Sequence, residues 1–256
     1  MSDEYDIKRR LGRGYFGEVY LAIKAGRCYA IKKVVNTEYN TAQQEIRILQ
    51  EVNHPCIIKY YGHYMERNIL CIVLEYADKG TLEQRVRRKR MMSAEVCTWR
   101  FIASLSSALE YLHTMSPQVL HHDLKPDNVL GVNEPALPPE TGHQIAWKLA
   151  DFGVAKMLTR EAQEAYYGAD KPGVPTYMGP EVLQNFESYS AASDMWSLGA
   201  VIAFLMRGGR HIFSCNEDVL NYQPGLNFCE GTAENYSTDL QELVNSLLQV
   251  LLLSAI

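Results

Sequence analysis

The chain has 256 residues, of which 47% are hydrophobic and 21% charged, and its formal net charge is -5 at pH 7. This length and hydrophobic content are sufficient for one large domain or two packed lobes. The charge argues against a general electrostatic attraction to nucleic acid or to anionic membranes, so we expect neither as a partner.

Cysteine spacing and the terminal segments indicate where the protein works. The cysteines are scattered and form none of the close pairs that zinc sites and redox motifs need. The N-terminus is polar and acidic, unlike a secretory signal, and the apolar stretch around Val250–Leu253 is far shorter than the roughly 20 residues that span a bilayer. We therefore expect reduced thiols and a cytoplasmic location, with the nucleus as the alternative.

The first part of the chain, to about Tyr76, is dominated by short β-type runs. One helix is predicted over residues 42–52, because Ile46, Leu49 and Val52 recur at helical spacing. We therefore predict a small, mainly β unit over residues 1–76. Its predicted strands include Glu18–Ala22, Cys28–Val35 and Ile69–Leu74.

The periodicity becomes helical after a turn at Asp78–Thr81. A long amphipathic helix is predicted from about Ser93, which can cap its first turn, to His113. The segment Glu134–Gly142 is rich in proline and glycine, a composition typical of an exposed loop. We predict a larger, mainly α unit over residues 77–256.

A Gly-x-Gly-x-x-Gly pattern occurs at Gly12, Gly14 and Gly17, ahead of Ala30 and Lys32. Glycines allow the backbone to approach a phosphate closely and to present its N–H groups. A dinucleotide-binding fold has the same pattern between a strand and a following helix. Strand-type residues follow the glycines here, so we favour another kind of phosphate site.

Two further motifs are the run from His121 to Asn128, HHDLKPDN, and the DFG run that begins at Asp151. Together with the glycine pattern, these motifs resemble those of eukaryotic protein kinases, over about residues 6–248. Gly173–Glu181 and Asp194–Gly199 are similar to the substrate-docking loop of that family and to the buried helix start that anchors its catalytic loop. The resemblance implies an α+β, bilobal protein kinase-like fold, with an N-lobe over 1–76 and a C-lobe over 77–256.

The resemblance also implies roles for individual residues. Lys32 would hold the α- and β-phosphates of ATP and pair with Glu45. Asp123 would accept the proton of the substrate hydroxyl, and Lys125 would meet the γ-phosphate. Asn128 and Asp151 would bind Mg²⁺. The remaining nucleotide contacts that the resemblance implies are Gly12, Gly14, Gly17, Val19, Ala30, Glu75, Ala77 and Leu130.

The same resemblance implies ATP and Mg²⁺ as cofactors and a protein as substrate. The lysine two positions after Asp123 resembles the serine/threonine branch of the family. The runs His54–Gly62 and Leu74–Leu82 are similar to those of NIMA-related kinases. His121 is expected to pack on Phe152 and to link the two lobes. The sequence does not indicate an oligomeric state.

The sequence departs from the family pattern at several positions. His122 replaces an arginine that binds a phosphorylated activation loop, and we expect it to be a weaker, pH-dependent substitute. Val174 replaces a threonine that bridges the catalytic aspartate and lysine. Gly179 replaces an alanine or serine, which we expect to be a mild change. The arginine that pairs with the glutamate here numbered Glu181 is missing from the C-terminal segment.

These departures leave two functional hypotheses open. The first is an active serine/threonine protein kinase. The alternative is a nucleotide-binding pseudokinase that works as a scaffold or an allosteric partner. For Glu181 we consider partial hydration, another base as its partner, or a truncated chain, because a buried carboxylate without a partner is costly.

Overall fold

The computed structural model describes residues 5–14, 17–34, 39–88, 95–134, 145–158, 175–228 and 236–249. The predictions that fall outside these ranges include the helix cap at Ser93, the loop after Glu134, the substitution at Val174 and the apolar stretch at Val250–Leu253. All the other residues to which we assigned a catalytic, metal or nucleotide role lie within the described ranges.

An antiparallel five-stranded sheet forms the first part of the chain, with the strand order β1-β2-β3-β5-β4. One helix, α1, lies between β3 and β4 in the chain. The predicted strands and the predicted helix of this part are confirmed. Their bounds are β1 (Asp6–Gly14), β2 (Gly17–Lys24), β3 (Arg27–Val34), α1 (Tyr39–Glu51), β4 (Tyr60–Glu66) and β5 (Ile69–Glu75).

Helix α1 packs on the sheet through one apolar face. Ala42, Ile46 and Leu49 lie on this face because residues three and four apart are neighbours on a helix, and all three are buried. Glu45 belongs to the same buried side of α1, so the packing that stabilises the helix also directs a carboxylate toward the sheet. Ala42 and Ile46 form a small apolar cluster with Val34, Leu70 and Ile72.

The second part of the chain is mainly helical. Its helices are α2 (Leu82–Arg87), α3 (Glu95–Thr114), α4 (Pro180–Gln184), α5 (Ala191–Met206), α6 (Asn216–Leu220) and α7 (Thr238–Leu247). Short strands form two small sheets: β6 (Gly80–Thr81), β8 (Val129–Asn133) and β9 (Ile145–Leu149), and β7 (Val119–Leu120) with β10 (Lys156–Met157). The predicted bilobal α+β fold is confirmed, whereas the boundary between residues 76 and 77 stays a prediction.

Helix α5 is the centre of the second part. Every residue from Trp196 to Met206 is buried, as expected for a helix that is apolar on all sides. Gly199 allows α7 to approach closely, since a Cβ at this position would lie 2.9 Å from the Cβ of Leu247. The main core extends from this helix to Leu49 of α1 and to Phe152, so both parts of the chain share it.

Membrane insertion was also considered. Among the helices in the described part of the chain, none combines the length and the apolar composition that a bilayer crossing requires.

Candidate active site

Lys32 on β3 is the first residue of the site. Because side chains alternate along a strand, Lys32 points toward α1 whereas Lys33 points to the opposite face. The Nζ atom of Lys32 lies 2.7 Å from Oε2 and 2.9 Å from Oε1 of Glu45. It also lies 2.7 Å from Oδ1 of Asp151. The structure thus brings together three of the predicted site residues, from β3, α1 and the DFG motif.

These charged groups determine the electrostatics of the site. Burial alone would lower the pKa of Lys32, but the carboxylates of Asp151 and Glu45 outweigh burial and raise it. For Asp151 the directions are reversed: burial would raise its pKa, but Lys32 lowers it below the usual value. One lysine therefore faces two carboxylates. The resulting surplus of negative charge favours a further cation at this place.

Asp151 combines a strained backbone with a partly exposed side chain. Its φ angle is 63°, in the left-handed region that side chains other than glycine rarely adopt, and its side chain is 33% exposed. The next residue, Phe152, is buried, and its ring centroid lies 5.1 Å from that of His121. The predicted contact between His121 and Phe152 is therefore confirmed. The packing of Phe152 holds the following backbone while Asp151 stays accessible.

Asp123 is the centre of the run from His121 to Asn128, called the catalytic loop below. Its Oδ2 atom accepts hydrogen bonds from Nζ of Lys125 at 2.5 Å and from Nδ2 of Asn128 at 2.9 Å. Nδ2 of Asn128 also donates to the backbone oxygen of Asp123 at 2.7 Å. Burial raises the pKa of Asp123 although Lys125 opposes the shift. The amide nitrogen of Asn128 is used inside the loop, which leaves its side-chain oxygen as a possible metal ligand.

The catalytic loop is held by the buried carboxylate of Asp194 at the start of α5. Asp194 accepts hydrogen bonds from the backbone N–H groups of His121 at 2.9 Å and His122 at 3.1 Å. The hydroxyl of Tyr189 donates to it at 2.7 Å, and Nε2 of His113 lies 2.8 Å from it. Burial would raise the pKa of Asp194, but the hydrogen bond with His113 and the other donors lower it. The predicted anchoring of the loop is confirmed.

Comparison with known families identifies this arrangement. A family model described as the protein kinase domain matches residues 5–252. The chain belongs to the protein kinase family. Protein kinase domains generally use ATP and Mg²⁺ and act on proteins. The acidic surplus at Asp151 and the oxygen of Asn128 fit Mg²⁺, since this ion prefers oxygen ligands and usually takes few of them from the protein.

His122 behaves differently in this kinase from what we predicted. Its side chain is 3% exposed, and its ring centroid lies 3.6 Å from that of Tyr189. Neither ring nitrogen has a hydrogen-bond partner among the described residues. Burial lowers the pKa of His122 to about 3, although Asp194 opposes the shift. The predicted pH-dependent cation is therefore wrong, because the neutral ring cannot attract a phosphate near neutral pH.

The glycines of the kinase serve different purposes. Gly12 and Gly14, near the end of β1, are exposed, and a Cβ at either one would meet nothing within 4 Å. A Cβ on Gly17 would lie 2.1 Å from the backbone oxygen of Lys33, and Gly17 has a φ of 150°. Gly17 is therefore required by the pairing of β2 with β3. The phosphate contacts of all three glycines stay predictions.

The residues expected around adenine come from both parts of the kinase. Val19 lies on β2, Ala30 on β3 and Leu130 on β8. The N–H of Glu75 already donates to the backbone oxygen of Lys59 at 2.8 Å, so the carbonyl of Glu75 is the group to consider for adenine. The adenine contacts of Glu75, Ala77, Val19, Ala30 and Leu130 stay predictions.

Sequence reasoning missed Gln44, the neighbour of Glu45 on α1. Its Nε2 atom donates to the backbone oxygen of Ala155 at 2.9 Å, just after the DFG motif. The contact ties α1 to the segment that carries Asp151. No local sequence signal points to Gln44, because its partner lies far away in the chain.

Proposed function

We propose that this chain is an active serine/threonine protein kinase that transfers the γ-phosphate of ATP to a hydroxyl group of a protein substrate. The observation that carries the proposal is that polar side chains from both parts of the chain form two groups, each held together by hydrogen bonds and ion pairs. The first group joins a lysine to two carboxylates, and the second joins the catalytic aspartate to a lysine and an amide. The groups consist of Lys32, Glu45 and Asp151, and of Asp123, Lys125 and Asn128.

Lys32 would bind the α- and β-phosphates of ATP. Its raised pKa keeps the ammonium group charged, and Glu45 holds that group in place. A lysine whose position is fixed before the nucleotide arrives loses little freedom on binding, which favours affinity and alignment.

Asp151 and Asn128 would bind Mg²⁺, which neutralises charge on the phosphates when it is bound. The donor set suits this ion, because a carboxylate and an amide oxygen are hard ligands. The contact with Lys32 holds the Asp151 side chain in place, and the amide contacts with Asp123 hold that of Asn128.

Asp123 would accept the proton of the substrate hydroxyl. Its pKa is raised by burial, which makes the carboxylate a better proton acceptor than an exposed aspartate. The hydroxyl oxygen then bonds to the γ-phosphorus as the bond to the ADP oxygen breaks. Lys125, 2.5 Å from Asp123, would compensate charge on the transferred group, and its presence supports serine or threonine as the acceptor.

Finer assignments belong to the same proposal. The runs His54–Gly62 and Leu74–Leu82 support a relationship with NIMA-related kinases. The scattered cysteines support a reducing compartment, the cytoplasm or the nucleus. We assign residues 1–76 to the N-lobe and 77–256 to the C-lobe, because the last strand of the large sheet ends at Glu75.

The test is transfer of radiolabelled phosphate from ATP to a generic basic protein, with Asp123→Asn as the control. We expect the variant to lose at least about a hundredfold in rate, because proton acceptors of this kind contribute about 10²–10⁴. Phosphoamino-acid analysis of the product should show phosphoserine or phosphothreonine. Phosphotyrosine would contradict the assigned branch.

The pseudokinase alternative is tested in the same preparation. A ligand that binds only the folded protein raises Tm by mass action. A rise in Tm with Mg²⁺ and ATP, together with equal transfer by the wild type and Asp123→Asn, would identify a nucleotide-binding pseudokinase and contradict the proposed activity.

A further inference from the structure

Glu181, in the first turn of α4, has a neutral partner. The hydroxyl of Ser193 on α5 donates to Oε1 of Glu181 at 2.7 Å. Ser193 is fully buried, and its oxygen also accepts a hydrogen bond from the backbone N–H of Ser190 at 3.1 Å. A serine therefore contacts the carboxylate that we expected to need a base. A hydrogen bond to a charged acceptor is stronger than one between neutral groups.

Gly179 provides the space for this carboxylate. An ideal Cβ at residue 179 would lie 2.4 Å from Oε1 and 2.5 Å from Oε2 of Glu181. The backbone angles of Gly179, φ -65° and ψ 152°, suit any residue, so space and not conformation explains the glycine. An added methyl group would displace this carboxylate, and we expect the displacement to break its hydrogen bond to Ser193. A buried hydroxyl would then lose its acceptor, which is costly.

The same turn of α5 also holds the catalytic loop and the residues before α4. Ser197 lies four residues after Ser193, hence on the same face, and its hydroxyl donates to the backbone oxygen of Tyr177 at 2.8 Å. Asp194, next to Ser193, holds the backbone of the catalytic loop. The segment 175–181, called the docking segment below, is therefore connected through α5 to the loop that carries Asp123.

We propose that Gly179 and Ser193 together form a pocket for the Glu181 carboxylate, and that this pocket fixes the docking segment relative to the catalytic loop. Ser193 is then a positioning residue for the protein substrate and not for ATP. The glycine at 179, a departure from the family pattern, then has a physical explanation, because it leaves space for the Glu181 carboxylate. The inference about substrate positioning rests on the proposed kinase function.

Thermal unfolding tests the pocket without any activity. Gly179→Ala and Ser193→Ala both break the hydrogen bond between Ser193 and Glu181, so Gly179→Ala should lower Tm by about 5 °C. Ser193→Ala also removes the acceptor of the Ser190 N–H and should lower Tm further. The double variant should lose no more than the larger of the two single losses. The control Ser246→Ala removes an exposed hydroxyl and should change Tm by about 1 °C or less. Additive losses, or an unchanged Tm for Gly179→Ala, would overturn the pocket.

Steady-state kinetics tests the positioning role. For Ser193→Ala we expect KM for the protein substrate to rise about tenfold, while KM for ATP stays within about twofold. An unchanged KM for the protein substrate, or an equal rise in both constants, would overturn this role. If the wild type transfers no phosphate, the proposed function and the positioning role fail together, whereas the Tm comparison still decides whether Gly179 and Ser193 form the pocket.

Discussion

The two halves of the active site are held by different kinds of contact. The nucleotide half depends on charge, because Lys32 is paired with Glu45 and Asp151 at 2.7 Å each. The catalytic loop depends on hydrogen bonds to Asp194 and on the neutral ring of His122 stacked on Tyr189. This difference teaches that the loop of this kinase is positioned by a buried hydrogen-bond acceptor and by the packing of a neutral ring, at a place where a cation was expected.

The largest effect should follow from removing the buried charge of Asp194, which holds the backbone of the catalytic loop. Asp194→Asn presents an amide N–H₂ group to hydrogen-bond donors in the core, so we expect a loss of about 3 kcal/mol or more in the free energy of unfolding. Denaturant unfolding measures it. The control is Asp218→Asn on α6, where an exposed carboxylate accepts hydrogen bonds from the N–H groups of Ser214 and Cys215, and we expect a much smaller loss. Equal losses would contradict the special role of Asp194.

The dependence of the nucleotide half on charge can be tested by changing the glutamate partners of two adjacent lysines, Lys32 and Lys33. Glu45→Gln removes the charge partner of Lys32, and we expect kcat/KM for ATP to fall about a hundredfold. Glu66→Gln removes the partner of Lys33, 2.7 Å away on the other face of β3, and should change kcat/KM by less than about twofold. If both variants lose activity equally, the site does not depend on the orientation of Glu45.

The neutral state of His122 predicts a pH effect on stability. The unfolded histidine titrates near pH 6.5, whereas the folded one has a pKa of about 3, so the unfolded state binds more protons between these values. The stability of the wild type therefore falls as the pH drops through this window. His122→Phe lacks this loss. Its free energy of unfolding, relative to that of the wild type, should therefore rise by up to about 1.4 kcal/mol per pH unit below 6.5.

Urea unfolding of both proteins from pH 7 to 4.5 measures this difference in the free energy of unfolding. An effect of the larger ring that does not depend on pH leaves the slope of the difference against pH unchanged. His63→Gln, at an exposed position on β4, is the matched control. Parallel pH profiles for the wild type and His122→Phe would show that His122 carries a proton in the folded state.

Much of the fold could be predicted from local patterns. Short β-type runs identified β3 and β5, and the spacing of Ile46 and Leu49 identified α1. Motif resemblance proposed Lys32 and Glu45 as partners, and the structure places them in contact. Gln44 could not be predicted, because its contact with the backbone of Ala155 depends on how α1 packs and not on any pattern around it.

The sequence by itself determined the chemical groups: the lysines, carboxylates and amide of the site, in an order typical of protein kinases. Tertiary structure alone decided the state of two of the unusual residues. His122 is neutral because packing against Tyr189 removes water from its ring, and Glu181 is satisfied because α5 brings Ser193 to it. Desolvation and hydrogen bonding between distant positions arise only when the chain is folded, and they determine which groups are charged.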